Sequence, residues 1–409
     1  MRRVVVTGIG VVSAVGLTAA EFFDSLIHAR SGVGEITQIP TDEMGVKVAA
    51  EVKGFDPSAH FTTKQVGLLD RFAQFALVAA REAMADSGFS PTEAECDRFG
   101  VAIGTSFGGM GTLEAGYERV YSERNLRLHP LTIPRIMYNA AASQISMFFS
   151  ARGPILAIST ACASGAQAIG WAFHQIRYGY AEAMLAGGAD APITFGVMKA
   201  WEALRVLASG RGDPTRACRP FSRDREGLVV GEGAAVLLLE EYERARARGA
   251  RLYAELVGYG TSADASHITD PSVEGPARAM QAALAEAGLA PEDVDYINAH
   301  GTATKVNDRI ETEAIKLVFG SHARRLAISS TKALHGHTMG AAGAIEFAAA
   351  CLALRHGIIP PTAHYTEPDP ECDLDYVPNR AREQKLEVVL SNSFAFGGIN
   401  AVLIARRVS

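Results

Sequence analysis

The chain has 409 residues, 48% of them hydrophobic and 21% charged, enough for two domains or one large two-lobed unit. Its net charge of −6 supplies no overall basic surface for nucleic acid. Five cysteines without a Cys-x-x-Cys pair argue against a disulfide framework or a zinc site, and no apolar run approaches the roughly 20 residues of a membrane span. The composition therefore points to a cytoplasmic α/β protein in a reducing compartment.

In chain order, "VVVTGIGVVSAVG" (from Val4) reads as a buried strand, too short and too broken by glycine for a signal peptide. Its "GIGVVS" mimics a dinucleotide fingerprint, but the third glycine is replaced by Ser13, so the match is set aside. Beyond it, strand-like and helix-like stretches alternate, which favours parallel strands with helices on their faces. Two stretches then recur. "ADSGFSPTEAECDRFGVAIGT" (Ala85 to Thr105) is echoed by "AEAGLAPEDVDYINAHGT" (Ala285 to Thr302). "AISTACASGAQAIGWAFHQIRYG" (Ala157 to Gly179) is echoed by "AISSTKALHGHTMGAAGAIEFAAACLALRHG" (Ala327 to Gly357). The order agrees in both pairs, so the expectation is two similar α/β halves, residues 1–250 and 251–409, with the helix-favouring "ERARARG" (Glu243 to Gly249) just before the boundary.

The first half places Cys162 at a strand-to-helix turn. Ile155, Leu156 and Ile158 read as a short buried strand after Pro154, and Ala166, Ile169, Gly170, Phe173 and Ile176 recur at helical spacing. Unpaired helix N–H groups there favour negative charge and so a thiolate. The alternative is a small buried apolar residue, the usual fate of a free cysteine. In the second half, His300 follows a strand in "NAHGT", and Lys332 and His337 lie in "TKALHGH" at the turn equivalent to that of Cys162. Under a pseudo-twofold these turns face each other. A thiolate suits acyl transfer through a thioester, and two histidines opposite it could donate hydrogen bonds to a thioester oxygen and stabilise an enolate. The lysine would tune and orient a histidine.

With these residues in view, "TACASG", "NAHGT" followed by Asp308, "STKALHGHTMGAAGAIE", "RPFSRDREGLVVGEGAAVLLLE" and "SNSFAFGGIN" resemble the elongating β-ketoacyl-acyl carrier protein synthases, condensing enzymes of the thiolase-like fold. The similarity runs nearly end to end. It implies two pseudo-symmetric halves in an α-β-α-β-α layering, no organic cofactor and no metal, and acyl carrier protein as partner. It also implies a dimer, of identical chains or with a chain-length partner. By resemblance Cys162 takes the acyl chain, His300 and His337 serve malonyl decarboxylation, and Lys332 supports them, with Glu346 pairing near it. Backbone N–H groups of Cys162 and Phe396 would form the oxyanion hole. Thr302 and Thr304 would line the pantetheine channel, with Phe107, Phe394 and Phe396 at the substrate and Asp308 in support.

The resemblance also separates the relatives. A degradative thiolase would carry a late Cys-x-Gly, which "SFAFGGIN" lacks; a priming enzyme would use Cys-His-Asn; and a chain-length subunit usually lacks the cysteine. "PPTAHYTEPDPECDLDYVPNRARE" is reminiscent of polyketide ketosynthases, which leaves a polyketide subunit as the alternative. Three positions depart from the family pattern. Phe107 stands where an aliphatic or small residue is common, which implies a shortened acyl pocket. Gly67 and Leu68 replace a basic pair used for carrier docking, leaving Lys64, Arg71 and Arg205. Ala395 and Ile399 replace the usual glycine and threonine of the gating loop.

Overall fold

Residues 1–408 are described by the computed structural model. Ten strands form one continuous sheet: β1 (Val4–Ser13), β2 (Phe99–Gly104), β3 (Ile155–Ile158), β4 (Ala183–Asp190), β5 (Gly233–Glu241), β6 (Ala254–Ala263), β7 (Tyr296–Asn298), β8 (Ala327–Ser329), β9 (Val388–Ala395) and β10 (Ile399–Arg406). Their order is β8-β7-β9-β10-β6-β1-β5-β4-β2-β3. The order reads alike outward from the β6–β1 seam. On each side an antiparallel pair leads into parallel pairings, β4–β2–β3 in the first half and β9–β7–β8 in the second. This is the pseudo-twofold expected from the repeats.

The helices fall into three layers. α1 (Arg71–Ser87) and α2 (Ala140–Phe149) cover the outer face of the first half, and α5 (Glu274–Ala287) and α6 (Lys305–Phe319) that of the second. Between the halves lie α3 (Ser164–Arg177) and α8 (Ala342–His356), inside the largest apolar cluster. α4 (Phe195–Leu204) and the one-turn α7 (Lys332–His335) complete the elements that position the site. Two local signals set α1: Asp70 accepts the Phe72 N–H at 3.3 Å, and Gly88 closes it at φ 61° in the left-handed region.

The symmetry reaches individual atoms. A Cβ on Gly10 of β1 would stand 1.9 Å from the Ala79 carbonyl oxygen of α1, and one on Gly260 of β6 2.0 Å from that of Ala279 of α5. Each half thus seats its outer helix directly on glycine backbone, closer than any side chain permits.

One strand differs from its sequence reading. β3 forms where expected but is not buried: Ile155 is 43% and Leu156 37% exposed. The strand is the sheet's outer edge, so apolar character that reads as core in the sequence faces outward here. No helix among the described residues is long and apolar enough to cross a membrane.

The close seats give a first prediction. Gly10→Ala and Gly260→Ala each lower stability by about 1–3 kcal/mol or more in urea unfolding, the cost of overpacking. Gly111→Ala, where the new Cβ meets nothing nearer than 3.6 Å, changes it little. Equal effects at all three positions would contradict the close-seat assignment.

Candidate active site

The nucleophile turn is made by backbone. Ala161 sits at φ 49°, a conformation that side chains resist, and carries the chain from β3 into α3. Ser164 locks it, accepting the Thr160 N–H at 2.8 Å and donating to the Ala161 carbonyl at 2.6 Å. Cys162 is thereby held at the floor of a cavity of about 280 Å³ together with His300 and His337.

His337 Nε2 lies 3.1 Å from Cys162 Sγ. Its Nδ1 accepts the Met339 N–H at 3.2 Å, so the neutral ring carries its proton on Nε2, toward the sulfur. His300 stands edge-on to His337, with ring centroids 5.4 Å apart. Lys332 Nζ is 3.3 Å from His300 Nδ1, donates to the His300 carbonyl at 2.6 Å and forms a fully buried ion pair with Glu346. The ammonium has only protons to offer, so His300 Nδ1 is the acceptor and its Nε2 also carries the proton. Burial, then the Lys332 charge, hold both histidines well below the ordinary imidazole range, in the neutral form. Two neutral rings thus present N–H donors to one point beside a sulfur.

The sequence-level expectation of a thiolate is corrected by burial. Desolvation pushes the Cys162 thiol up to about 11. Lys332 and the backbone N–H groups of Phe396 and of Cys162 itself pull the other way but do not overcome it. The resting group is a thiol. The same two N–H groups both face the sulfur.

The remaining expected residues divide. Thr302 and Thr304 line the cavity, their hydroxyls 2.9 Å apart, as do Phe394 and Phe396. Glu346 meets Lys332, and burial pushes its carboxyl up to about 7 against the lysine's opposing charge. Asp308 lies away from the cavity, fully buried; it accepts the Phe221 N–H at 2.7 Å and faces Arg225, anchoring the start of α6. Phe107 lies behind the cavity wall, in an apolar cluster with Trp201, Met339 and Phe396. Arg71 is engaged by Glu232 at 2.7 Å and stacks over Phe75, so its charge is neutralised locally. Arg205 lies at the cavity mouth.

Three contributors escaped sequence reasoning. Glu311 of α6 accepts the N–H groups of His300 at 2.8 Å and Gly301 at 2.7 Å, which holds the His300 loop. Asp190, at the end of β4, accepts from Thr105 Oγ1 at 2.6 Å and from the Ser106, Phe107 and Gly340 N–H groups, tying the Phe107 loop to the turn after His337. Trp201 stacks on Phe396 at 6.0 Å and forms part of the cavity wall. An acidic residue at the end of an apolar strand was the available signal for Asp190; nothing local marks the other two.

By distance alone, Cys162, His300 and His337 could also hold a metal ion, since their ligand atoms all lie within 4.8 Å of one another. The Lys332 ammonium beside His300 opposes a second cation there. The arrangement suits hydrogen-bond donation to an oxyanion better than coordination.

A buried cysteine facing two neutral histidines, with a paired lysine behind them at the seam of two repeated halves, defines a condensing enzyme of the thiolase-like fold. The chain belongs to the β-ketoacyl synthase family: the family's N-terminal domain matches residues 1–245 and its C-terminal domain residues 253–366. It is 49% identical over 407 residues to "Nodulation protein E" of Rhizobium sp. (strain N33), covering 100% of both chains. It is 44% identical over 409 residues to "3-oxoacyl-[acyl-carrier-protein] synthase 2" of Coxiella burnetii, covering 100% of this chain and 99% of that one. Among solved structures it superposes with a TM-score of 0.92, at 36% identity and full coverage of both chains, on a ketosynthase bound to the hexaketide in complex with its type II PKS acyl-carrier protein. The resemblance read from the motifs is thus borne out, and the protein is an acyltransferase of the condensing type.

The raised thiol predicts the pH behaviour of the site. Cys162 alkylation by iodoacetamide, followed by peptide mass spectrometry, rises about tenfold per pH unit from 7 to 10 without levelling, because the thiolate fraction keeps growing below a pKa of about 11. A plateau below pH 9 would mean that Lys332 and the backbone N–H groups outweigh burial.

Proposed function

We propose that the protein extends an acyl chain held on Cys162 by two carbons taken from malonyl-acyl carrier protein. The observation that carries this reading is the pair of neutral N–H donors, His300 and His337, converging beside Cys162 Sγ. In the first half-reaction the sulfur attacks the acyl thioester, the Phe396 and Cys162 N–H groups hold the tetrahedral oxyanion, and the carrier thiol leaves with the cysteine proton. In the second, malonyl-carrier protein binds and its thioester oxygen accepts from the Nε2–H groups of His300 and His337. Loss of CO₂ leaves its bonding pair as an enolate held by those donors. The enolate carbon attacks the Cys162 thioester carbonyl, a carbon–carbon bond forms, and Cys162 leaves as thiolate and is reprotonated. Lys332 keeps His300 oriented and neutral, and Thr302 and Thr304 line the approach of the pantetheine arm.

The carrier docks near Lys64 and Arg205, with Gly67, Leu68 and the neutralised Arg71 contributing little charge. The chain works as a dimer through the exposed apolar edge of β3. Five buried free cysteines suit a cytoplasmic setting. The mirrored sheet order and the gap between the two matched family segments support a division near residue 250. A second reading, a polyketide ketosynthase working with a chain-length partner, is favoured by the likeness to a type II PKS ketosynthase.

Cys162→Ala abolishes acylation without unfolding the chain, since alanine suits the same buried turn; intact-mass spectrometry after incubation with acyl-carrier protein shows an adduct on the wild type alone. His300→Ala and His337→Ala lose CO₂ release from labelled malonyl-carrier protein at least a hundredfold while Cys162 acylation persists. Undiminished acylation of the alanine variant, or normal decarboxylation in both histidine variants, sinks the assignment.

Primer length is the finer prediction. Phe107 and Trp201 crowd the apolar cluster behind the cavity, so the wild type prefers short or medium primers. Phe107→Ala raises kcat/KM for longer saturated acyl-carrier proteins roughly tenfold or more, the scale of about 1–3 kcal/mol of relieved overpacking. Equal use of long and short primers by both proteins would remove Phe107 from that role.

A further inference from the structure

A third histidine lies in the same turn and has no part in the mechanism above. His335 is fully buried at the last position of α7, two residues before His337. Its Nδ1 is 2.8 Å from the Gly336 carbonyl oxygen, and its Nε2 is 2.9 Å from Thr331 Oγ1. A carbonyl only accepts, so Nδ1 carries the proton and Nε2 accepts from the threonine hydroxyl. Burial and the nearby Lys332 charge hold the ring neutral, its pKa pushed down to about 3.

The two contacts fall at informative places. Thr331 immediately precedes Lys332, and Gly336 immediately precedes His337. One imidazole therefore joins the two ends of the turn that carries both catalytic side chains. The Gly336 peptide is otherwise unusual, at φ 67° and ψ −175°, a conformation essentially restricted to glycine. Beyond it, His337 is pinned to the neighbouring segment by its N–H to the Val229 carbonyl at 2.7 Å and its carbonyl to the Gly231 N–H at 2.8 Å. The turn has fixed outer anchors, and His335 sets the span between them.

We propose that His335 is a positioning residue: it holds the Gly336 peptide so that the Nε2–H of His337 is aimed at Cys162 and at the substrate oxygen. The proposal rests on the decarboxylative reading above, and its test separates the two. The variants are His335→Asn, whose amide N–H stands in for Nδ1–H; His335→Gln, which reaches Thr331 but not the Gly336 carbonyl; His335→Leu, which fills the space without either bond; and Thr331→Val. In steady-state decarboxylation of malonyl-carrier protein, His335→Leu and His335→Gln lower kcat ten- to a hundredfold with KM changed less than twofold. His335→Asn stays within about fivefold of wild type, and Thr331→Val falls between. Iodoacetamide alkylation of Cys162 at pH 8 needs no substrate; it slows at least threefold in the Leu and Gln variants and is restored in Asn.

Wild-type kcat in folded His335→Leu, or equal losses in Asn, Gln and Leu, overturns the proposal. If His335→Leu does not fold, the Asn-to-Gln contrast decides in the same way. A wild type that alkylates as described but releases no CO₂ removes the proposed function, while the alkylation contrast still judges His335.

Discussion

One buried charge organises the site. The Lys332 ammonium has no exposed surface, and an ion taken out of water is tolerated only when its partners replace the lost hydration. Glu346 supplies the opposite charge, and the His300 carbonyl and Nδ1 supply acceptors. The tautomer of His300 follows from this, and the same charge adds to burial, the larger cause, in keeping both histidines neutral. Of the two facing N–H donors, that of His300 is thus set by where a lysine is buried, and that of His337 by the Met339 N–H on its Nδ1.

That burial requires the pseudo-twofold. Cys162 precedes α3 in one half, and Lys332 and His337 precede α8 in the other; only the packing of these helices against each other at the seam brings the turns together. The middle layer permits it because its helices are rich in alanine and glycine. A Cβ on Gly165 of α3 would lie 2.9 Å from the Gly340 carbonyl, just ahead of α8. Asp190 then fastens the arrangement with four hydrogen bonds that join the Phe107 loop to the His337 turn. Its own carboxyl is pushed up to about 6 by the burial this demands.

Three of the twelve non-glycine residues with positive φ among the described residues lie at the same place. Ala161, Ala303 and Met339 all take positive φ, and each lies within three residues of Cys162, His300 or His337. None is glycine, so the surrounding contacts impose these conformations. Ser164 performs that task for Ala161, and Glu311 holds the His300 loop that leads into Ala303.

The sequence by itself determined a good deal. The alternation of strand and helix, the two ordered repeats and the residues Cys162, His300, Lys332 and His337 were legible because each is local: periodicity, a turn, a reactive side chain at a strand end. The three-dimensional arrangement decided what depends on environment. Cys162 reads as a thiolate from its helix terminus and is a thiol, because desolvation exceeds the combined pull of Lys332 and the backbone N–H groups. β3 reads as core and is an exposed edge, because strand order is not written in a strand's own residues. Arg71 reads as free charge and is paired with Glu232, Asp190 and Trp201 acquire their roles from partners far away in the chain, and Glu311 from a loop that folds back onto its helix. Residue type and spacing carry the chemistry available; dielectric, partner and strand position exist only after the chain has folded.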